Sequence, residues 1–314
     1  MTEKSATEKE VVIVGGGPAA ISASIWCADL GLKAVIIERS SELGGQLLNI
    51  HNHIRNYPGL DCENGRELRD LFVRSLTGFS AECALGAEIS EICTRNKLVL
   101  LRDGRSFQGK AVIIASGVRR RELGVTGEDR FAGKGLLESG ARDPRVATGK
   151  RVAVVGGGDA AVENALLLSE FADHITLIHR GPKLSARSEF TARAQNHAKI
   201  EILLDTTVQA FNGGTAVEEI ELLNRRSKSE TRLSVDLAII RVGVVPNTEL
   251  LRGKIDLDPA GYAIVNTGCE TSVTGIYAIG DVASPSAPTI AGAVGTGATA
   301  AKTINACLYS ARCL

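Results

Sequence analysis

A glycine-rich motif that occurs twice constrains this chain more than any other feature. Residues 15–20 and 156–161 both read G-x-G-x-x-A, and each follows a short apolar run, at 11–14 and 152–155. A strand, this turn and a helix together place a pyrophosphate on the N-terminus of the helix. Glycine-rich turns also join strands to helices without a ligand, but two copies in full context predict two dinucleotide-binding units. The motif positions are Gly15, Gly17 and Ala20 in the first copy and Gly156, Gly158 and Ala161 in the second.

The two copies differ at the end of the strand that follows each helix. The run 34–37 ends in Glu38, about 20 residues past the first glycines, where a carboxylate accepts hydrogen bonds from a ribose 2′-hydroxyl. The run 175–178 ends instead in His179 and Arg180. An arginine at this place suits an additional 2′-phosphate, so the sequence indicates a basic nucleotide pocket in the second unit.

Length and charge exclude several classes of protein. The chain has 314 residues, which predicts about two domains with separate cores. Its 36 basic and 36 acidic residues balance, which argues against a nucleic-acid or membrane-surface partner. No apolar run reaches the roughly 18 residues that span a bilayer, and the polar first ten residues lack a signal-peptide core. We therefore expect a soluble cytoplasmic protein.

The cysteines indicate thiols rather than a disulfide framework or a metal site. Seven cysteines are an odd number, and no C-x-x-C sequence occurs, so we expect no zinc or other metal. Two of them, Cys307 and Cys313, lie within the last eight residues and are either incidental thiols in a frayed tail or a redox pair. A continuous helix would hold their Cα atoms roughly 10 Å apart, beyond disulfide reach of about 7 Å. A bond between them therefore requires the helix to end between them.

The motifs divide the chain into two units and a last stretch. The first unit runs from about residue 11 to 118 and the second from about 121 to 245. The last stretch, from 250 onwards, holds a strand that leads into Asp281 and then a helix from about Gly295. We expect this stretch to return and complete the first unit.

Taken together, these motifs resemble the low-molecular-weight thioredoxin reductase family, within the pyridine-nucleotide–disulfide oxidoreductases. The resemblance implies an α/β fold of two Rossmann-like, three-layer ββα domains. Residues 1–120 and 246–314 would form a discontinuous FAD-binding domain, and residues 121–245 an NAD(P)-like dinucleotide-binding domain. It also implies a homodimer. The segments that carry the resemblance are 15–20, 44–47, 56–59, 115–117, 156–161, 179–180, 246–247 and 275–281.

The resemblance also implies roles for individual residues. Gln46 and Asn56 match positions beside the flavin ring, Asp281 matches the acid that bonds the ribityl chain, and the last helix points its positive N-terminus at the flavin. The expected FAD contacts are Gly15, Gly17, Ala20, Glu38, Gly45, Gln46, Asn56, Ser116, Gly117, Gly280, Asp281, Thr289, Ile290 and Ala291. The expected contacts of the second dinucleotide are Gly156, Gly158, Ala161, His179, Arg180 and Arg187.

The chain departs from the family at the redox-active thiols. Ungapped counting puts Ser139 and Arg142 where the family carries a Cys-x-x-Cys pair, and neither can form a disulfide. Ordinary thioredoxin reductase activity is therefore excluded unless another dithiol substitutes. The segment 288–291 resembles that of family members which reduce ferredoxin or flavodoxin and also lack the pair. The second arginine expected after Arg180 is missing as well, although Arg187 could replace it, so NADP and NAD both stay open.

Three functions remain open at this stage. In the first function, electrons pass from FAD through a second carrier, either a second FAD or NADP(H)/NAD(H), to a Cys307–Cys313 disulfide and then to a thioredoxin-like partner. The diflavin-linked disulfide oxidoreductases, which the chain resembles, have this arrangement. Its weak point is distance, since Cys307 would lie about 12 residues, or roughly 18 Å, into the last helix. The second moves electrons from NAD(P)H through FAD to ferredoxin or flavodoxin, with Arg119–Arg121 as part of a docking face. The third is a non-enzymatic flavin-binding sensor.

Overall fold

A computed structural model of the protein describes residues 6–79 and 81–309. The strands are β1 (Thr7–Val14), β2 (Ala34–Ile37), β3 (Glu82–Ala84), β4 (Ile89–Cys93), β5 (Leu98–Leu101), β6 (Ser106–Ile114), β7 (Val118–Arg120), β8 (Leu136–Leu137), β9 (Arg151–Gly156), β10 (His174–Ile178), β11 (Ile200–Leu203), β12 (Thr206–Asn212), β13 (Glu219–Asn224), β14 (Glu230–Ser234), β15 (Leu237–Arg241), β16 (Val244–Pro246) and β17 (Ile276–Ala278). The helices are α1 (Pro18–Asp29), α2 (Gly65–Leu76), α3 (Glu128–Phe131), α4 (Asp159–Ser169), α5 (Ser188–Gln195) and α6 (Ile290–Tyr309).

These elements form two compact units. Unit 1 contains the described residues up to Arg119 and from Val245 onwards, and unit 2 contains Arg120–Val244. Unit 2 has a parallel sheet, whereas the sheet of unit 1 is mixed, because β5 runs antiparallel to both β6 and β4. The predicted α/β fold class is confirmed. Among the described helices, none combines the length and the apolar character needed to cross a bilayer.

The sheet of unit 1 has the order β3-β2-β1-β6-β5-β4, with β17 also paired to β6. Strand β1 is parallel to β2 and to β6, and its side chains alternate between the two faces of the sheet. Val11 and Ile13 pack on the helical side, whereas Val12 and Val14 pack with Val99 on the other side. The first glycine turn follows directly from this buried strand.

The C-terminal stretch belongs to unit 1. Strand β17 pairs in parallel with the end of β6, and α6 packs against α1. The sequence placed the start of this last helix near Gly295, which is wrong, because α6 begins at Ile290. Its N-terminus is stabilised by Thr289, whose Oγ1 accepts a hydrogen bond from the Gly292 N–H at 3.1 Å.

Unit 2 repeats the same plan with a separate antiparallel layer. Its parallel sheet has the order β11-β10-β9-β15-β8, and β12, β13 and β14 form a second, antiparallel sheet. Val152 and Val154 of β9 pack towards α4, while Ala153 packs on the opposite side with Ile220 of β13. The second glycine turn therefore also leaves the sheet from a strand that is buried on both faces.

We predict that replacing one glycine of α6 destabilises the protein, whereas a neighbouring one tolerates the same change. A Cβ on Gly297 would lie 2.5 Å from the Ala19 carbonyl oxygen of α1, so Gly297→Ala should cost about 1–3 kcal/mol of unfolding free energy. Gly295→Ala is the matched control, because its Cβ meets nothing within 4 Å and alanine favours a helix by about 1 kcal/mol. Equilibrium urea unfolding followed by circular dichroism measures both. Equal effects of the two changes would show that the helices do not depend on this close approach.

Candidate functional site

The first glycine turn leaves the N-terminus of α1 open. Gly15 has φ +104°, and a Cβ there would lie 2.8 Å from the Ala115 carbonyl carbon. Gly17 is the N-cap residue, no side chain caps the helix, and a Cβ on Gly17 would meet only the Gly45 Cα at 4.0 Å. Ala20 is fully buried beneath the turn. The free N–H groups of the first turn of the helix therefore fit an anionic group such as a pyrophosphate.

Glu38 lies immediately beside this turn. Its Oε1 accepts a hydrogen bond from the Ser40 N–H at 2.7 Å, and its Oε2 would be 2.9 Å from a Cβ on Gly16. The carboxylate is half-buried at the carboxyl end of β2. This is the position at which a ribose 2′-hydroxyl can donate to an acid in dinucleotide-binding folds.

A second set of glycines and polar side chains surrounds the same edge of unit 1. Gly45 has φ +53° and begins a short 3-10 helix, and the side chain of Gln46 donates to the Val118 carbonyl at 2.7 Å. Asn56 is exposed in the loop after an isolated bridge at Ile54. The structure therefore places Gly45 against the turn and orients Gln46 towards the start of β7, with Asn56 on the surface.

Ser116, which precedes Gly117, is hydrogen-bonded to Asn247, a residue to which the sequence analysis gave no role. The Ser116 hydroxyl donates to the Asn247 carbonyl at 2.7 Å, and the Asn247 side chain donates to the Ser116 carbonyl at 2.8 Å. Gly117 has φ +64°, and a Cβ on it would enter open space. Asn247 thus fixes the backbone that follows β6. In the sequence, the only indication of this residue was the Pro246–Asn247 pair, one of the segments that carry the family resemblance.

Asp281 lies at the start of a short 3-10 helix after β17. Burial raises the pKa of its carboxyl group above the ordinary value. The preceding Gly280 has φ +67° and donates its N–H to the Thr296 hydroxyl of α6 at 3.0 Å. Thr289, Ile290 and Ala291 form the N-terminal end of α6, and the Thr289 hydroxyl is used to cap that helix.

The glycine turn of unit 2 has the same geometry. Gly156 has φ +148°, and a Cβ on it would lie 2.8 Å from the Arg241 carbonyl carbon on the neighbouring strand β15. Gly158 is the N-cap of α4, no side chain caps this helix, and Ala161 is fully buried. The loop after β10 is fastened over the turn, since the Ser185 and Ala186 N–H groups both donate to the Gly157 carbonyl.

His179 occupies in unit 2 the place that Glu38 occupies in unit 1. Each follows the strand after the glycine helix, and each is held by backbone hydrogen bonds to the next strand. A Cβ on Gly157 would lie 2.5 Å from the His179 imidazole, as a Cβ on Gly16 would meet Glu38. Burial, helped by the charge of Arg180, lowers the pKa of His179. Unit 2 therefore has no carboxylate at its ribose position.

The side chain of Arg187 forms an ion pair with Asp159. Its backbone N–H and its Nε donate to the Asp159 carboxylate at 2.8 and 2.7 Å, and its guanidinium lies over the Phe190 ring. Asp159 is the first residue of α4, where its charge would repel a bound phosphate. The geometry therefore shows Arg187 neutralising the Asp159 carboxylate, and a direct contact of Arg187 with a phosphate stays a prediction.

A further pair of arginines lies at the carboxyl edge of the parallel sheet of unit 2. Arg241 ends β15 and donates to the Glu138 carbonyl at 2.9 Å, and Arg120 donates to the same oxygen. Burial, with the charge of Arg120, lowers the pKa of Arg241 to about 10. The rest of the sequence triplet is also engaged, since Arg119 pairs with Glu249 at 2.6 Å and Arg121 donates to the Val244 carbonyl. All three residues are nevertheless exposed, so a docking face formed by the triplet stays a prediction.

Cys307 lies far along α6 from the N-terminus of that helix. Cys307 is half-buried in the last turn of α6, 17 positions beyond Ile290, which is about 25 Å along the helix rather than the expected 18 Å. Cys313 lies outside the described residues. The side chain of Tyr309 donates to Glu10 of β1 and, as the largest cause, lowers the pKa of that carboxyl to about 2. The end of α6 is thereby attached to the sheet of unit 1.

The fold and these two turns define an oxidoreductase class that binds two dinucleotides, and comparison with known proteins gives the family. The pyridine nucleotide-disulphide oxidoreductase family matches residues 9–297. The thioredoxin reductase of Listeria innocua is 33% identical over 293 residues, covering 93% of this chain and 91% of that protein. The thioredoxin reductase of Bacillus subtilis is 32% identical over 297 residues, covering 94% and 93%.

A solved structure agrees with the relatives found by sequence. The crystal structure of Lactococcus lactis thioredoxin reductase superposes with a TM-score of 0.84 at 31% identity, covering 94% of this chain and 97% of that chain. The chain therefore belongs to the pyridine nucleotide-disulphide oxidoreductase family, and the predicted resemblance is confirmed. It is a flavin-dependent oxidoreductase of the thioredoxin reductase type, a family that uses FAD and NADPH.

We predict that Asp281→Asn stabilises the apoprotein while weakening its hold on FAD. The raised pKa means that ionising the buried carboxyl costs stability, which should fall as the pH rises from about 4 through the raised pKa. The neutral amide removes this cost, so the melting temperature of the apoprotein near neutral pH should rise by about 2–4 °C. Calorimetry of the apoprotein and flavin release on dilution measure the two effects. An apoprotein that melts at the same temperature would contradict the prediction.

We also predict that Arg187→Ala weakens nucleotide binding to unit 2 by about threefold to tenfold. The change leaves the Asp159 carboxylate uncompensated at the N-terminus of α4, where it repels a phosphate. The double change Asp159→Asn with Arg187→Ala removes both charges and should restore most of the affinity. Titration calorimetry with ADP measures each variant. If the double variant binds as weakly as the single one, Arg187 acts by another route.

Proposed function

We propose that unit 1 binds FAD, that unit 2 binds a pyridine nucleotide, and that the enzyme transfers electrons from this nucleotide to a small redox protein. The family membership and the two open glycine turns support this assignment. When bound, the flavin accepts a hydride from the nicotinamide and can release two electrons together or singly. We further propose a homodimer, as is typical of the family.

The residues of unit 1 are suited to hold FAD. The N–H groups at the start of α1 would bind its pyrophosphate, with Gly17 leaving room for close approach. Glu38 would accept from the adenosine ribose, and Asp281 would accept from a hydroxyl of the ribityl chain. Gln46 and the N-terminal end of α6 would contact the ring, where the partial positive charge of the helix favours a reduced, anionic flavin.

The residues of unit 2 favour a pyridine nucleotide over a second FAD. FAD and NAD(H) carry the same adenosine ribose, whose 2′-hydroxyl would donate to an acid such as Glu38 of unit 1, whereas NADP(H) carries a 2′-phosphate at that position. In unit 2 the matching residue is His179, and Arg180 follows it directly. This difference between two otherwise similar sites supports a different dinucleotide in each.

One observation carries the proposed route of electrons out of the enzyme. Residues 120–244 contain no cysteine, and ungapped counting puts Ser139 and Arg142 at the positions of the family dithiol. Electrons therefore cannot pass through a disulfide in unit 2. Direct transfer from the flavin to a ferredoxin- or flavodoxin-type acceptor requires no thiol and is the route we favour.

A second route would use Cys307 and Cys313. The specific observation in its favour is that α6 joins the two regions, since its N-terminal end follows Asp281 and its last turn carries Cys307. The distance of about 25 Å along this helix argues against direct reduction of these thiols by the flavin. A thioredoxin-like partner or a second subunit would have to bridge that distance.

We predict that the double variant Cys307→Ser with Cys313→Ser keeps its electron transfer activity. Under anaerobic conditions, NADPH should bleach the flavin absorbance of the variant at the wild-type rate, and reduction of a ferredoxin or flavodoxin should stay within about twofold, because no thiol takes part. Cys83→Ser, an exposed cysteine on β3, is the matched control. Normal bleaching with at least a tenfold loss of acceptor reduction would instead support the C-terminal thiols as the exit. No bleaching with either NADPH or NADH would contradict the proposed function itself.

A further inference from the structure

Four cationic side chains gather in unit 2 where β10 ends. Arg180 lies two residues beyond this strand, and Arg225, Arg226 and Lys228 lie in the turn that joins β13 to β14. We call residues 225–228 the basic turn. These side chains line a cavity of about 490 Å³, completed by Gly181, Pro182 and Asp205. Arg180 and the basic turn are 45 positions apart in sequence and meet only in the folded unit.

The backbone of the basic turn is held in place by its own hydrogen bonds. The side-chain oxygen of Asn224 accepts from the Arg226 and Ser227 N–H groups at 3.0 and 2.9 Å, and the Lys228 N–H donates to the Asn224 carbonyl at 2.9 Å. Lys228 itself has φ +62°. The cations are therefore presented from a fixed turn rather than from a free loop.

The basic turn is also attached directly to the loop after β10. The guanidinium of Arg225 donates to the Arg180 carbonyl at 3.2 Å, and its backbone N–H donates to the Asp205 carbonyl at 2.6 Å. The Asp205 N–H in turn donates to the Gly181 carbonyl. These bonds hold the backbone of the basic turn beside the loop that carries Arg180.

The charge of this cavity points to an anion. Among the described residues that line it, Asp205 supplies the only carboxylate, against four cations. Arginine pairs well with phosphate oxygens through its planar set of N–H groups. The loop after the second strand of a dinucleotide-binding unit is the place where the 2′ substituent of the adenosine ribose is recognised. The cavity therefore combines a phosphate-binding composition with the position of a 2′-phosphate.

We propose that the basic turn and Arg180 together bind the 2′-phosphate of NADP(H), so that unit 2 selects NADP(H) over NAD(H). This inference rests on the proposed function, in which unit 2 binds a pyridine nucleotide. Gly181 stands where a second arginine was expected after Arg180, and the antiparallel sheet supplies the missing cations through Arg226 and Lys228. Selectivity thus comes from a hairpin that is remote in sequence from the glycine turn.

The experiment compares two adenosine probes that differ only in the 2′-phosphate. Adenosine 2′,5′-bisphosphate and adenosine 5′-monophosphate are each titrated into the purified FAD-loaded protein. Calorimetry measures their binding, and this measurement does not depend on catalysis. The wild type should bind the bisphosphate at least about tenfold more tightly, as expected for charged hydrogen bonds to a phosphate. Raising the salt from about 50 to about 500 mM NaCl should reduce this ratio, because screening weakens exposed ion pairs.

The decisive variant is the double change Arg226→Ala with Lys228→Asn, because asparagine tolerates the positive φ of residue 228. It should lower the ratio of the two affinities to about threefold or less while leaving binding of the monophosphate within about twofold. Arg232→Ala on the neighbouring strand β14 is the matched control, since Arg232 pairs with Glu219 and Glu221 and does not line the cavity. Single variants at Arg226 and Lys228 replace the double variant if its circular dichroism shows that it is unfolded.

Three outcomes would overturn the proposal, and they can be told apart. Equal affinity of the wild type for both probes would remove the 2′-phosphate site but leave the pyridine nucleotide in unit 2. A double variant that keeps the full wild-type ratio would show that Arg180 acts without the basic turn. Binding of neither probe, together with no flavin bleaching by NADPH or NADH, would defeat the proposed function as well.

Discussion

The close approach of a glycine to a carbonyl on the next parallel strand is the contact on which both units depend. Gly15 lies against Ala115 in unit 1, and Gly156 lies against Arg241 in unit 2. A Cβ at either position would collide with backbone that cannot move without breaking the sheet. The contact fixes where each strand turns into its helix. It thereby sets an uncapped helix N-terminus at the carboxyl edge of each sheet, and every other candidate residue is positioned relative to that edge.

The parts of the structure that the sequence predicted are those determined by local pattern. The two glycine motifs, their strands and Glu38 follow from short apolar runs and fixed spacing, and all lie as expected. The start of α6 was misplaced because Gly292, Gly295 and Gly297 weaken the helical pattern. A glycine costs about 1 kcal/mol in an isolated helix, but packing against α1 requires the absence of a side chain at Gly297 and outweighs that cost. The basic turn and the contacts of Arg187 could not be predicted, because they join segments that are distant in sequence.

The two units share one scaffold and differ in the charges at the end of its second strand. The backbone around Glu38 and around His179 is held by equivalent hydrogen bonds, so the position of the side chain is the same and its chemistry differs. An acid at this position attracts a hydroxyl donor and repels a phosphate. A histidine of lowered pKa does neither strongly, and leaves recognition to the cations around it. The glycine turn is thus common to both units, whereas the side chain at the end of the second strand is not.

The positions of the cysteines in the fold limit which of their thiols can take part in disulfide exchange. All seven cysteines fall outside residues 120–244, and Cys27, Cys62 and Cys269 are buried, with the pKa of each raised by burial. A buried thiol of raised pKa is a poor nucleophile, so these three residues are unsuited to disulfide exchange. If unit 1 binds FAD as proposed, electrons would leave either to an acceptor that approaches the flavin itself or through Cys307 at the end of α6. The length of that helix makes the first arrangement the simpler one, because it requires no carrier between the flavin and the acceptor.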